Sequence, residues 1–171
     1  MTKEAIDEYL GSMVGVCIDL ARKSAASGNY ALGALVVRGG KIIAESGSSL
    51  VLDDNDPSAH PEMSAIRMAA RESNSRYLEG ALLFSTLEPC PMCASAAIWA
   101  KMDGIVFGAS QRDALEWARR HPDDLFTWRQ IRIPAQHVAD AGDPRIEVRG
   151  GVRRAECIEL FALSAECAPP R

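Results

Sequence analysis

The chain has 171 residues, of which 47% are hydrophobic and 25% are charged, and its formal net charge at pH 7 is -4. This length and composition fit one globular domain with a continuous core and leave little room for a second domain. A net negative charge gives no general attraction to phosphate backbones. Binding to nucleic acid would therefore need a local basic patch, and the basic residues are scattered.

The sequence also bears on location. No apolar run reaches the ~20 residues that a membrane span requires, and the charged, amphipathic start does not resemble a signal peptide. Five cysteines are present, and only Cys90 and Cys93 lie close together. An odd number of cysteines with a single close pair predicts a protein of the reducing cytoplasm. There, clustered thiols more often bind metal or take part in catalysis than form disulfides.

Helical and strand patterns alternate along the chain, which predicts an α/β domain with helices on both faces of a sheet. Apolar spacing over residues 4–27 predicts an amphipathic helix with Cys17 on its buried side. β-Branched residues on both sides of Gly39-Gly40 predict a hairpin. The later predictions are a loop over 47–58, a helix from Pro61, a strand over 81–86 followed by a helix, a strand over 104–110, a helix over 113–120, an irregular segment over 121–144, and a final strand and helix.

The cysteine pair is a candidate metal site. Cys90 and Cys93 are three positions apart at the start of a predicted helix, on one helix face. Structural zinc sites usually have four protein ligands in two close pairs, and this chain has only one such pair. His60, at the start of the preceding helix, is the candidate third ligand. A right-handed crossover between adjacent parallel strands would bring both helix starts to one sheet edge. A metal held there by three protein ligands has a fourth coordination position open for water.

Glu62 lies two residues after His60 and is the candidate proton carrier. Helix N-termini stabilise thiolates, and a metal lowers the pKa of bound water from about 15.7 to about 7. A carboxylate beside that water can take its proton and pass it to a leaving amine. Two alternatives remain open: a thiol redox pair formed by Cys90 and Cys93, and a zinc-stabilised binding subunit without catalytic activity.

The segments HPE (60–62) and PCPMC (89–93) resemble the signature of the zinc-dependent cytidine/deoxycytidylate deaminase superfamily. The stretches GALVVRGGKIIAES, DNDPSAH, TLEPCPMC and GIVFGAS match the family core in order, over roughly residues 30–110. The resemblance implies one zinc deaminase domain over residues 1–171, with a variable C-terminal part over 111–171. It also implies a three-layer α/β/α fold around a mixed sheet of about five strands.

The resemblance assigns His60, Cys90 and Cys93 as Zn²⁺ ligands and Glu62 as the proton carrier. It implies hydrolytic release of ammonia from an amino-substituted nucleobase or nucleoside. The C-terminal part is more similar to guanine deaminases and nucleoside deaminases, which favours a guanine-type purine; tRNA adenosine, cytosine and triazine substrates are the alternatives. The predicted partners are a small-molecule substrate and a second copy of the chain in a homodimer. No nucleic acid or membrane is expected.

Four residues are predicted substrate contacts. Relatives carry an asparagine after the hairpin, where this chain offers Ser49, and Asn55 is a candidate substitute. Asp113 resembles acidic positions of guanine deaminases that accept hydrogen bonds from a purine, although a solvated helix face is the alternative. Trp128 is predicted to stack on a flat base or to pack in a dimer interface. Pro61 stands where relatives have a small residue, and it removes a backbone N–H that could face the substrate.

Overall fold

The computed structural model describes residues 2–47, 56–122 and 131–167, with side chains up to Ser164. Within these residues the chain forms six helices and five strands. None of these helices combines the length and apolar character needed to cross a membrane. In chain order the elements are α1 (Lys3–Ala26), β1 (Gly33–Arg38), β2 (Lys41–Gly47), α2 (Pro61–Glu72), β3 (Ala81–Leu87), α3 (Pro91–Trp99), β4 (Gly104–Ala109), α4 (Gln111–Arg120), α5 (Ala135–Asp140), β5 (Glu147–Arg149) and α6 (Arg154–Cys167).

The five strands form one mixed sheet in the order β2-β1-β3-β4-β5, which confirms the predicted sheet. β1 is antiparallel to both β2 and β3, whereas β3, β4 and β5 are parallel. The predicted hairpin joins β1 to β2, and Gly39 and Gly40 both have positive φ angles, of 58° and 75°. Such a pair matches the two-residue hairpin turn that follows the natural twist of the strands.

The crossover that carries α2 differs from the predicted one. We expected it to join adjacent parallel strands, but β1 lies between β2 and β3. β2 and β3 still run in the same direction because each is antiparallel to β1. The starts of α2 and α3 therefore meet at one edge of the sheet, as predicted.

Helices cover both faces of the sheet and give the predicted three layers. α1, α4 and α6 pack on one face, and α2, α3 and α5 pack on the other. β3 and β4 supply alternate side chains to the two cores: Phe84 and Val106 to the first, and Leu83 and Ile105 to the second. Cys17 is fully buried on α1, as predicted.

The segment over 121–144 contains more regular structure than predicted. We expected it to be irregular, but α5 forms within it, whereas residues 123–130 lie outside the described ranges. α5 is short and is held by Ala135 and Ala139, which are four positions apart and fully buried against the second core.

Candidate active site

The three predicted metal ligands lie at the starts of two helices. His60 is the N-cap residue of α2, and Cys90 is the N-cap residue of α3. Pro61 and Pro91 follow them at the first helical positions, where the absent N–H costs nothing and the fixed φ angle suits the helix. Cys93 is the third residue of α3, in its first turn, and is buried.

The ligand atoms of these residues are almost equidistant. Cys90 Sγ lies 3.6 Å from His60 Nδ1, Cys93 Sγ lies 3.6 Å from His60 Nδ1, and the two sulfurs are 3.6 Å apart. A tetrahedral zinc ion with bonds of about 2.3 Å to sulfur and about 2.0 Å to nitrogen separates its ligand atoms by roughly 3.5–3.8 Å. The cluster therefore fits zinc in both donor chemistry and size. Within the described residues, His60, Cys90 and Cys93 form the group of potential metal ligands whose ligand atoms all lie within 4.8 Å of one another.

The two thiols differ in protonation. The hydrogen bond between the two sulfurs is the largest cause lowering the pKa of the Cys90 thiol to about 4. The same hydrogen bond, followed by burial, raises the pKa of Cys93. The contact with Cys90 raises the pKa of His60. A divalent metal that binds here would displace the remaining thiol proton.

Glu62 lies beside this cluster, on the first turn of α2, and its side chain is buried. Its Oε2 atom is 3.7 Å from Cys93 Sγ, and its Oε1 atom accepts a hydrogen bond from Ser85 Oγ at 2.8 Å. Burial is the main reason that the pKa of Glu62 is raised. A raised carboxyl pKa brings proton uptake and release closer to neutral pH, as a proton carrier requires.

Ser85 and Glu88 were not singled out from the sequence. Ser85 is a buried polar residue in the otherwise apolar strand β3, which was the available signal. Glu88 follows β3 directly, and its carboxylate accepts hydrogen bonds from the backbone N–H groups of Gln111, at 2.8 Å, and Ala135, at 2.9 Å. These are the first residues of α4 and α5. One side chain beside the cluster therefore fixes the starts of two helices from the C-terminal part.

Of the four predicted substrate contacts, Ser49, Asn55 and Trp128 lie outside the described residues. Asp113 is described and is 6% exposed. Its carboxylate accepts hydrogen bonds from the backbone N–H and the hydroxyl of Ser110, both at 2.8 Å, and from Arg154 Nε at 3.0 Å. These contacts hold the start of α4 and tie it to α6. A substrate contact at Asp113 stays a prediction.

Comparison with known proteins decides the family. Residues 8–109, which include the whole His60, Glu62, Cys90 and Cys93 cluster, match the family described as the cytidine and deoxycytidylate deaminase zinc-binding region. The chain belongs to this zinc deaminase family. The resemblance seen in the sequence is thereby confirmed, and the match together with the fit of the cluster supports Zn²⁺ as its cofactor.

Relatives of this chain are named for different substrates. The chain is 39% identical to the guanine deaminase of Bacillus subtilis (strain 168) over 104 residues, which are 61% of this chain and 64% of the relative. It is also 39% identical to the tRNA-specific adenosine deaminase of Aquifex aeolicus (strain VF5) over 94 residues, which are 55% of this chain and 62% of that relative. In each case it spans less than two thirds of the relative.

A solved structure supports the fold. A guanine deaminase from Nitrosomonas europaea superposes on this chain with a TM-score of 0.75 and 22% sequence identity. The superposition covers 92% of this chain and 85% of the other. This agreement extends beyond the residues of the family match and includes much of the C-terminal part.

Proposed function

We propose that this zinc deaminase releases ammonia from a guanine-type purine base by hydrolysis. The observation that carries hydrolytic deamination is the cluster of three zinc-type ligands with a buried carboxylate beside it, Glu62 Oε2 lying 3.7 Å from Cys93 Sγ. A purely structural zinc site normally has a fourth protein ligand and does not need a proton carrier. The third ligand His60 and the family match also favour a metal site over a thiol redox pair.

The chemistry follows from these side chains. Zinc held by His60, Cys90 and Cys93 would lower the pKa of a water molecule to about 7 and so supply hydroxide at neutral pH. Glu62 would take one proton of that water and give it to a ring nitrogen as the hydroxide adds to the amino-bearing carbon. It would then take the proton of the added hydroxyl and give it to the amine, so that the C–N bond breaks, ammonia leaves and a carbonyl forms. Guanine and water give xanthine and ammonia, and Glu62 returns to its starting protonation state.

The charges near α6 support a small substrate. A protein that binds tRNA needs arginine and lysine side chains that are free to pair with phosphates. Three arginines around the start of α6 are instead paired within the chain: Arg149 with Asp7, Arg153 with Glu156, and Arg154 with Asp113. With a net charge of -4, this pairing favours a free base over a polynucleotide.

A second candidate is the adenosine of a tRNA. One observation favours it directly: the tRNA-specific adenosine deaminase of Aquifex aeolicus is as identical to this chain, at 39%, as the guanine deaminase of Bacillus subtilis. The same ligand cluster and the same proton carrier would serve either substrate. The homodimer stays a prediction from the family resemblance, and the cytoplasmic location stays a prediction from the cysteine content.

The test is ammonia release by the zinc-loaded protein. The panel contains guanine, adenine, cytosine, their nucleosides, aminated triazines, and a tRNA anticodon stem-loop with adenosine at the wobble position. We expect guanine to give the highest kcat/KM, with formation of xanthine. Glu62→Gln is the control for contaminating enzymes, and it should keep zinc while kcat falls by about 10²–10⁴-fold. Turnover of the stem-loop without turnover of guanine would support the second candidate instead.

A further inference from the structure

Ser85 occupies an unusual position in the strand that leads to the zinc cluster. β3 is apolar from Ala81 to Phe84, and Ser85 is only 1% exposed. A buried hydroxyl needs a hydrogen-bond partner, because leaving it unpaired costs about 1–3 kcal/mol. Its partner is Glu62, whose Oε1 atom lies 2.8 Å from Ser85 Oγ.

The direction of this hydrogen bond is fixed by the neighbouring groups. The backbone N–H of Leu87 donates to Ser85 Oγ at 3.3 Å, so the oxygen already acts as an acceptor. An ionised carboxylate can only accept hydrogen bonds. The single hydroxyl proton of Ser85 therefore points at Glu62 Oε1.

The two oxygens of Glu62 differ in what would remain after metal binding. Oε2 accepts from the Cys93 S–H, and this proton must leave when Cys93 becomes a metal ligand. Oε1 keeps its hydrogen bond from Ser85, whose hydroxyl is hydrogen-bonded to Glu62 and to the Leu87 N–H and is not itself a metal-type ligand. Because rotation about the last side-chain bond of a glutamate is broad and roughly two-fold, the carboxylate needs such a contact to hold one orientation.

We propose that Ser85 is a positioning residue that anchors Oε1 of Glu62 and thereby leaves Oε2 as the oxygen that carries the proton. The inference rests on the proposed role of Glu62. The hydrogen bond joins a hydroxyl to a charged acceptor inside the protein, where it is stronger than in water. Without it, the carboxylate samples orientations in which neither oxygen faces the cluster, and proton transfer slows although substrate binding does not change.

The test compares Ser85→Ala with Ser85→Thr in the zinc-loaded protein. The alanine variant lacks the hydroxyl, and we expect kcat to fall by about 10–100-fold with KM and zinc content unchanged. The threonine variant keeps the hydroxyl, so its kcat should stay close to that of the unaltered protein. Thr86→Val is the matched control, because Thr86 is an equally buried hydroxyl of the same strand that accepts from the Gly33 N–H instead. It should lower the melting temperature without a selective loss of kcat.

A crystal structure of each zinc-loaded variant gives a readout that is independent of turnover. We expect Glu62 to keep one conformation in the threonine variant and to lose it in the alanine variant. If Glu62 keeps its conformation and the alanine variant keeps its kcat, the positioning role is wrong. If threonine fails to restore the kcat lost in the alanine variant, the role is also wrong. If no substrate on the panel is deaminated, the proposed function fails, and the Glu62 conformation alone decides the role of Ser85.

Discussion

Helices begin at the site edge of the sheet in two different ways. α4 begins with a complete capping box, in which Ser110 Oγ accepts from the Asp113 N–H at 3.2 Å while Asp113 accepts from the Ser110 N–H at 2.8 Å. α2 and α3 begin at His60 and Cys90, and neither side chain makes a capping hydrogen bond. The start of α4 therefore has side-chain caps, from its own capping box and from Glu88, whereas His60 and Cys90 provide none for α2 and α3.

The difference shows what an N-cap position can be used for. Serine and aspartate stabilise a helix start by about 0.5–2 kcal/mol, and α2 and α3 do without that contribution. Because the N-cap side chains of α2 and α3 do not cap their helices, they can contact each other, and Cys90 Sγ lies 3.6 Å from His60 Nδ1. A metal ion would then order these two starts. Metal binding should not change the local stability of the start of α4.

The largest expected effect comes from removing one ligand. In Cys90→Ala we expect zinc affinity to fall by about 1000-fold or more, because two protein ligands remain and the binding free energy is also folding free energy. Zinc content gives the first measurement. Amide hydrogen exchange gives the second: protection should fall in the first turns of α2 and α3 and stay unchanged in the first turn of α4.

Cys17→Ala is the matched control for this variant. Cys17 is also a buried cysteine, but it lies in α1 and packs in the core on the opposite face of the sheet. It should keep one zinc per chain and the exchange pattern of the unaltered protein. A Cys90→Ala protein that still binds one zinc tightly would contradict the assignment of the ligands.

Acid should remove the metal before it unfolds α4. The pKa of Cys90 is lowered to about 4, which favours its thiolate at neutral pH, whereas the raised pKa values of Cys93 and His60 favour their protonated forms. Zinc must displace those protons, so its affinity should rise with pH and be lost as pH falls. Between pH 7 and 8 we expect zinc binding to release one proton from the thiols, that of Cys93, and the zinc-bound water to release up to one more.

Zinc titration in a weak buffer with a pH indicator measures this proton release. The number of protons released shows whether one or both thiols are protonated before zinc binds. A total release of more than two protons per zinc at pH 7, beyond one from Cys93 and up to one from the zinc-bound water, would show that Cys90 is not ionised before the metal binds. In that case the unequal protonation of the two sulfurs is wrong.

The order of the elements was predictable because each depends on local pattern. Apolar spacing identified α1, and Gly39-Gly40 identified the hairpin turn. The strand neighbours were harder, because pairing β1 between β2 and β3 is a long-range choice that periodicity does not encode. α5 was missed because a helix of six residues with two buried alanines gives too little pattern next to proline and acidic residues.

The ligands of the candidate site were predictable because residue type and spacing carry their chemistry. The contacts that hold them were not. Ser85 looked like part of a buried strand, and only the fold reveals that its hydroxyl reaches Glu62 across 23 positions of sequence. Asp113 had a local signal that was overlooked: Ser110 precedes it by three residues, which is the spacing of a capping box.

The smallest expected effect concerns Asp113 in the capping box of α4. Burial alone would raise the pKa of Asp113, but hydrogen bonds from Arg154 and Ser110 outweigh it and lower that pKa. Asp113→Asn replaces an acceptor oxygen with a donor, so we expect a loss of about 1–2 kcal/mol in the free energy of unfolding, with zinc content unchanged. Because the folded-state pKa is lowered, this contribution is present above the unfolded pKa and disappears as pH falls through the folded value.

Urea unfolding at pH 7 and at pH 3 measures this loss, and Glu116→Gln is the control on the same helix. Glu116 is exposed and forms an ion pair with Arg120, so its replacement should change stability by less than about 1 kcal/mol. The KM for guanine distinguishes the two roles of Asp113. A raised KM with unchanged stability would make Asp113 a substrate contact. A loss of stability with unchanged KM would mean that Asp113 is a structural cap of α4. Of the three helix starts compared, those of α2 and α3 would then supply the side chains of the active site.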